Sequence, residues 1–187
     1  MSGDLFAGLS LLLDSRPSPE TTGLVRSVFL LPDQLVQATR CLLVAGYHLE
    51  DISGLDTVEG ILVNYHFDDF ERPGRIALRV LAEGENLCVP SIAAVFGGAE
   101  WHEREVCDFF GVTFVGNPNP LTLLLPANDS STPLRKAEDL RRTVQELIDP
   151  GTIVSVDPRF ERMFPPCPKA EEPTKNEEQG EPDNPKR

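Results

Sequence analysis

Cysteines at metal-binding spacing are missing from this chain. Cys41, Cys88, Cys107 and Cys167 lie far apart with no C-x-x-C pair, which indicates neither a zinc ribbon nor an iron-sulfur ligand set. Reduced thiols in a cytoplasmic protein are the reading that follows. Neither G-x-G-x-x-G nor G-x-x-x-x-G-K occurs, so the sequence makes no case for a dinucleotide or nucleotide site. Basic charge is scarce: 17 Lys and Arg stand against 30 Asp and Glu, a net charge of -13. Nucleic-acid binding draws on clustered cations that release counterions, and no such cluster exists here. Long apolar runs are also lacking. The patch from Leu9 to Leu13 is too short to cross a bilayer, and Asp4 stands where a signal peptide needs positive charge. The expectation is a chain that enters no membrane by itself and reaches one only through partners.

What the chain does have is concentrated in one stretch, residues 101–114. Four charged residues (Glu103, Arg104, Glu105, Asp108) and four aromatic rings (Trp101, Phe109, Phe110, Phe114) share it. On a helix, Val106, Phe109 and Phe110 fall at i, i+3 and i+4 and form an apolar stripe. Gly111 then supplies a helix stop, where a left-handed backbone is least costly. Glu100 and Asp108 each lie four residues from Arg104, so one guanidinium is expected to reach a carboxylate in the turn before and another in the turn after.

Around this helix the pattern predicts an α+β domain. Residues 1–23 read as a short helix followed by a Ser/Pro/Thr loop. Val25 to Leu31 reads as a strand. Asp33 is placed to cap a helix carrying Leu35, Ala38, Thr39, Leu42 and Leu43, with Gly46 as its stop. Strands are expected at Tyr47 to Ser53, turning at Gly54, and at Gly60 to Phe67, where Ile61, Val63, Tyr65 and Phe67 alternate with Leu62, Asn64 and His66. Arg72, Pro73 and Gly74 make a turn into a partner strand bearing Ile76, Leu78 and Val80. Pro90 and Ser91 open a short helical segment, and Thr113 to Val115 is a last short strand. Residues 116–120 must be extended, since each proline restricts its predecessor. Leu121 to Leu125 is apolar in an irregular setting, as a segment that packs on a neighbour would be. Residues 136–147 have helical periodicity through Leu140, Val144 and Leu147. The resulting fold is a single domain: a mixed sheet of about five strands with helices packed on one face, plus an irregular C-terminal extension. Its parts are an N-terminal helix and loop (1–23), the α+β body (24–136), a C-terminal helix and docking extension (137–164), and a tail (165–187) whose composition cannot offset chain entropy and is expected to be disordered.

Chemistry and scaffold compete for the same residues. His102-Glu103-Arg104-Glu105-Val106 begins like a zinc-protease helix but has Val106 where the second histidine belongs. His102 and Glu105 at i, i+3 are too few for a metal, and His48 and His66 lie in other segments. Glu103, Glu105 and Asp108 include a possible general acid and base, but they also suit Arg104 and backbone donors. Breaking a buried network of that kind costs on the order of 3–5 kcal/mol, and burying Phe109 and Phe110 contributes about 1.5–3 kcal/mol each, so a fold-determining role suffices. Cys107, flanked by acids, is a poor thiolate. Asn117 and Asn119, each before a proline, read as turn residues.

The run Trp101-His-Glu-Arg-Glu-Val-Cys-Asp-Phe-Phe-Gly-Val112, followed by Phe114, Gly116 and Pro118, resembles the signature of the 30 kDa-type subunit of NADH:quinone oxidoreductases, the respiratory complex I family. Val89-Pro90-Ser91 upstream and Pro133-Leu134-Arg135-Lys136 downstream are similar to family features in the same order, so the resemblance spans about Leu30 to Lys136. It implies a non-catalytic structural subunit that binds no cofactor itself, in a proton-translocating complex carrying iron-sulfur clusters and a quinone. The implied partners are the large subunit that helps form the quinone pocket and the iron-sulfur small subunit, in a peripheral arm on the cytoplasmic side of the membrane. The implied structural and interface residues are Trp101, Glu103, Arg104, Glu105, Asp108, Phe109, Phe110, Gly111, Phe114, Gly116, Pro118, Pro133, Leu134, Arg135 and Lys136, with no catalytic, cofactor or metal residue. Asn117 departs from the family's histidine, the arginine-containing stretch that normally follows is Asn119 to Leu125, and Ala137-Glu138-Asp139 replaces an Asp-aromatic-Pro continuation. These changes keep a second reading open, a structural component of a membrane-bound [NiFe] hydrogenase or formate hydrogenlyase, and a remote third, a free-standing carboxylate-dependent enzyme.

Overall fold

The alternating strands and the two amphipathic helices assemble around a twisted sheet in the computed structural model, which describes residues 4–71 and 74–165. The strands of this sheet are β1 (Leu11–Ser15), β2 (Leu24–Leu30), β3 (His48–Asp56), β4 (Ile61–Asp68), β5 (Arg75–Ala82) and β8 (Ile153–Val156). Their order is β3-β4-β5-β2-β1-β8. Only β2 and β5 run parallel; the other neighbours are antiparallel, so the sheet is mixed. Six strands stand where about five were expected, in an α+β domain.

The period-2 alternation of β4 and β5 explains how the sheet is buried. Ile61, Val63, Tyr65 and Phe67 join Ile76, Leu78 and Val80 on one face, under Leu35, Ala38 and Leu42 of α2 (Pro32–Val44) and Val106 and Phe110 of α3 (Ala99–Phe110). Phe29, Leu62 and Leu81 point to the other face and form a second cluster with Leu12, Leu13, Val144, Phe160 and Phe164. Phe160 belongs to a short helix, α4 (Pro158–Met163), and its ring meets Phe29 edge-on with centroids 5.3 Å apart. The irregular C-terminal extension thus covers the face opposite the long helices.

Several local expectations are corrected. Residues 11–15 form β1 rather than part of a helix, because Leu12 and Leu13 are 1% exposed and their backbone pairs with β2 and β8 on either side. The Ser/Pro/Thr stretch holds a one-turn helix, α1 (Pro19–Thr22). Leu31, not Asp33, is the N-cap of α2, with Pro32 in its first turn and Asp33 beside it. Gly54 does not turn the chain: β3 continues through it to Asp56. A Cβ at Gly54 would meet Phe110 Cδ2 at 2.6 Å, so this glycine is where α3 comes down onto the sheet.

The helix expected over 136–147 does not form. Two single 3-10 turns, Glu138–Leu140 and Gln145–Leu147, take its place, and Leu140 is 65% exposed. Side-chain acceptors capture the backbone donors a helix would use: Asp56 takes the Lys136 N–H at 2.7 Å, and both Glu59 carboxylate oxygens take the Val144 N–H at 3.1 Å. Ser91 to Gly98 is likewise a set of turns, preceded by β6 (Cys88–Pro90), which pairs in parallel with β7 (Thr113–Val115) across α3. The turn at Arg72 and Pro73 and the tail from residue 166 lie outside the described residues.

Candidate functional site: a charged helix that holds two loops

Helix α3 ends where expected, with Gly111 at φ 75° and its N–H donated to the Cys107 carbonyl at 2.8 Å. Its charged residues do something the sequence did not reveal. Glu103 is 0% exposed, and its carboxylate accepts from Ser91 Oγ at 2.6 Å, Ile92 N–H at 2.7 Å and Asn117 Nδ2 at 2.8 Å. Burial pushes this carboxyl above the usual glutamate value, against the pull of those three donors. It therefore ties the segment after β6 to the segment after β7.

Arg104 and Asp108 together hold the next loop by its backbone. Arg104 Nε donates to the Leu121 carbonyl at 2.8 Å and Nη2 to the Thr122 carbonyl at 3.0 Å. Asp108 Oδ2 accepts from three consecutive N–H groups, those of Leu123, Leu124 and Leu125, at 2.9, 2.7 and 3.1 Å. Burial alone would raise the Asp108 carboxyl, but those donors and the nearby Arg104 charge hold it below the usual aspartate value. Asp108 thus turns to the loop and is not an ion-pair partner of Arg104. The other expected contact is present, with Arg104 Nη1 3.5 Å from Glu100 Oε1.

The two asparagines are turn residues and also tethers. Asn117 Oδ1 accepts from the Asn119 N–H at 2.9 Å, its Nδ2 reaches Glu103, and Asn119 Nδ2 donates to Glu100 Oε1 at 3.0 Å. Positions that depart from the family pattern are therefore part of this chain's own wiring. Ser91, Asn117, Asn119 and Asp56 were missed as site residues, since nothing in their local spacing shows which carboxylate they meet.

The remaining residues sort by depth. Phe110 and Phe114 are buried, Phe109 is half-buried, and Trp101, Glu105 and Pro118 are exposed. Gly116 takes φ 96°. Trp101 carries the Arg104 guanidinium 5.5 Å from its ring centroid. Pro133, Leu134, Arg135 and Lys136 are exposed but attached: the Leu134 N–H donates to the Phe109 carbonyl and the Lys136 N–H to Asp56. His102 faces Asp51 of β3 at 3.7 Å. Among the described residues, no group of three His, Cys, Asp or Glu is disposed to hold a metal ion. Burial and the Asp108 charge push the Cys107 thiol up, which disfavours a thiolate.

The arrangement presents an apolar surface on a fixed backbone. Leu121 and Leu124 are 69% and 59% exposed although every residue from 121 to 125 is gripped by α3. A groove of 140 Å³ runs beneath, lined by Glu103, Arg104, Cys107, Phe114 and Leu121.

Residues 28–144 match the family model described as the respiratory-chain NADH dehydrogenase 30 Kd subunit. The chain belongs to this family. The match takes in α3, both loops it holds and most of the sheet. Among curated relatives, an NAD(P)H-quinone oxidoreductase subunit of Prochlorococcus marinus strain AS9601 is 34% identical over 122 residues, covering 60% of this chain and 69% of the relative. A Psychrobacter cryohalolentis chain, named as the joined C/D subunits of NADH-quinone oxidoreductase, is 40% identical over 81 residues, covering 43% of this chain and 14% of the relative. A chain in the membrane-bound sulfane sulfur reductase, an archaeal respiratory membrane complex, shares the fold at a TM-score of 0.53 and 19% identity, covering 65% of this chain and 74% of that one. The protein is thus a complex I-type subunit of an oxidoreductase assembly and has partner subunits. No helix among the described residues is long and apolar enough to cross a membrane.

Proposed function

We propose that the chain is a structural subunit of a complex I-type NADH:quinone oxidoreductase and that it docks through the loop held by α3. The observation that carries this reading is the triple backbone grip of Asp108 on Leu123, Leu124 and Leu125 beside the exposed Leu121 and Leu124 side chains. An exposed apolar loop costs entropy to order when it binds; one that is already ordered binds with that cost removed. The partner is the large subunit that helps form the quinone pocket, with the iron-sulfur small subunit beside it. Support for a single adjacent partner comes from the Psychrobacter relative, where the matched segment is 14% of a chain whose name joins two subunits.

In this reading electrons pass through the clusters and quinone of other subunits, and this chain holds no cofactor. The carboxylates that a hydrolytic or acid-base mechanism would use, Glu103 and Asp108, are occupied by Ser91, Ile92, Asn117 and the 123–125 backbone. The protein sits peripherally on the cytoplasmic side and meets the membrane through its partners. The test is affinity purification of the tagged chain from its own membranes in mild detergent, with mass spectrometry and metal analysis. Wild type should bring down iron-sulfur and membrane-arm subunits without nickel, and a Leu121→Asp/Leu124→Asp variant should lose them while keeping its melting temperature. Recovery of a nickel-containing large subunit would move the chain to a hydrogenase-type complex, and recovery of the chain alone would overturn the docking reading.

A further inference from the structure

Arginines at the sheet and in its covering segments have carboxylate partners: Arg26 with Asp4 and Asp14, Arg75 with Glu50, Arg141 with Asp56 and Arg159 with Asp157. Arg79 in β5 does not. Among the described residues its guanidinium makes no ion pair or hydrogen bond, and its Nε is buried without a partner. Its contact is with the ring of Phe29, whose centroid lies 5.4 Å from Cζ. Burial holds Arg79 below the usual arginine value, yet an arginine remains charged at neutral pH and carries five N–H donors. A desolvated cation without a counter-charge is costly unless something supplies one.

Arg79 lines a cavity of 330 Å³ between the sheet and the segment that crosses it from Leu147 to Thr152. Ser15, Ser27, His66 and Arg79 form its floor; Asp149 and Thr152 lie in its roof. Strand register explains the hollow. Phe29 and Arg79 are neighbours across β2 and β5, as are Ser27 and Ala77 one step of the pleat away, so the small residues leave open the space that Phe29, Leu62 and Leu81 fill at the other end of the face. Ser15 Oγ donates to the Ser27 carbonyl at 3.1 Å, while the Ser27 hydroxyl makes no side-chain hydrogen bond among the described residues.

We propose that this hollow binds a small oxyanion, a phosphate or short carboxylic acid, with the Arg79 guanidinium as its forked partner and Ser27 and His66 as further donors. Planar guanidinium groups match both ligand types bidentately, and the volume admits a small molecule rather than a bare ion. The other charges near the hollow are Asp149, whose Oδ1 already accepts from the Gly151 N–H at 2.9 Å, Asp51, 3.7 Å from His66 Nδ1, and Arg75, paired with Glu50. His66 is held below its usual value by burial, with Arg79 and Arg75 adding and Asp51 opposing. A bound anion shifts it upward, so binding takes up a proton and tightens as pH falls through the histidine range. The site is on the sheet face opposite α3 and does not depend on the docking reading.

The experiment is calorimetric titration of the full 187-residue chain with inorganic phosphate and with succinate, against sodium chloride at matched ionic strength, together with melting curves. Wild type should show saturable one-to-one binding at millimolar ligand, and Arg79→Met should weaken it at least tenfold, a loss expected for a charged bidentate contact. In anion-free buffer Arg79→Met should melt at or above the wild-type temperature, because it removes an unpaired buried cation, and Asp149→Asn should bind several-fold tighter. Preference for phosphate or for succinate identifies the group, and either supports the site. An equal response to chloride, unchanged binding by Arg79→Met, or a sharp drop in that variant's melting temperature without anion would overturn it.

Discussion

Asp108→Asn is the most direct probe of the loop grip. The substitution keeps the side chain's size and one oxygen but removes the charge from an atom that accepts three consecutive N–H groups from Leu123, Leu124 and Leu125. Hydrogen bonds to a charged group contribute about 1.5–3 kcal/mol each, against roughly 0.5–1.5 kcal/mol for neutral ones. Three such downgrades would sum to about 3–5 kcal/mol if water could not reach the donors. Leu124 is 59% exposed and Asp108 only 6%, so water recovers part of this, and a net loss of about 2 kcal/mol is the working figure. For a chain of this size that lowers the melting temperature by about 4–8 °C. If the loop detaches without unfolding the sheet, the loss appears first as faster proteolysis within 119–126, because local opening is governed by local contacts. Urea unfolding and limited proteolysis of the full chain measure both. Unchanged stability together with an unchanged cleavage rate in this loop would refute the claim that Asp108 orders it.

Acid sensitivity should follow from the same carboxylate. Because native Asp108 lies below its ordinary 3.8, its ionisation contributes stability above that value and loses it as pH falls through the native one, so the melting-temperature gap between wild type and Asp108→Asn should close below about pH 4. A gap that persists to pH 2 would point to a purely steric effect. Glu103→Gln should flatten the opposite trend, since the raised native value of Glu103 makes its ionised form destabilising as pH rises through it. A pH-stability profile identical to wild type would show that Glu103 does not titrate in the native state. Gly54→Ala should cost about 1–3 kcal/mol by forcing the Phe110 ring off the sheet, read by urea midpoint; a neutral outcome would mean α3 adjusts freely. Phe160→Ala should cost about 3–5 kcal/mol if α4 truly seals the second cluster, and a loss below half that would show the C-terminal segment to be weakly held.

Helices and strands with a clear period were legible in the sequence. Alternation in Ile61 to Phe67 and Ile76 to Val80, the 3–4 spacing of α2 and α3, and the stops at Gly46 and Gly111 all encode local geometry through the side chains themselves. The signature in α3 was also legible as a family mark. Its mechanical role was not, because Asp108 and Glu103 act on backbone groups 11–17 residues away, and a backbone N–H has no residue type to read. The same limit explains the segment 136–147: its helical periodicity is real, but Asp56 and Glu59, some 80 residues earlier, intercept its donors. β1 and β8 are strands for a comparable reason, since short apolar runs take whichever form their neighbours can pair with.

By itself, then, the sequence determined the elements whose period exceeds one turn or two pleats, and the α3 motif that marks the family. Tertiary structure decided which partner each buried charge received. Glu103 and Asp108 were given loops to hold, Arg104 was given carbonyls and one carboxylate, and Arg79 was left facing a cavity. The physical reason is range: periodicity is set between residues a few positions apart, whereas a desolvated charge is satisfied by whatever the fold brings within about 3 Å of it.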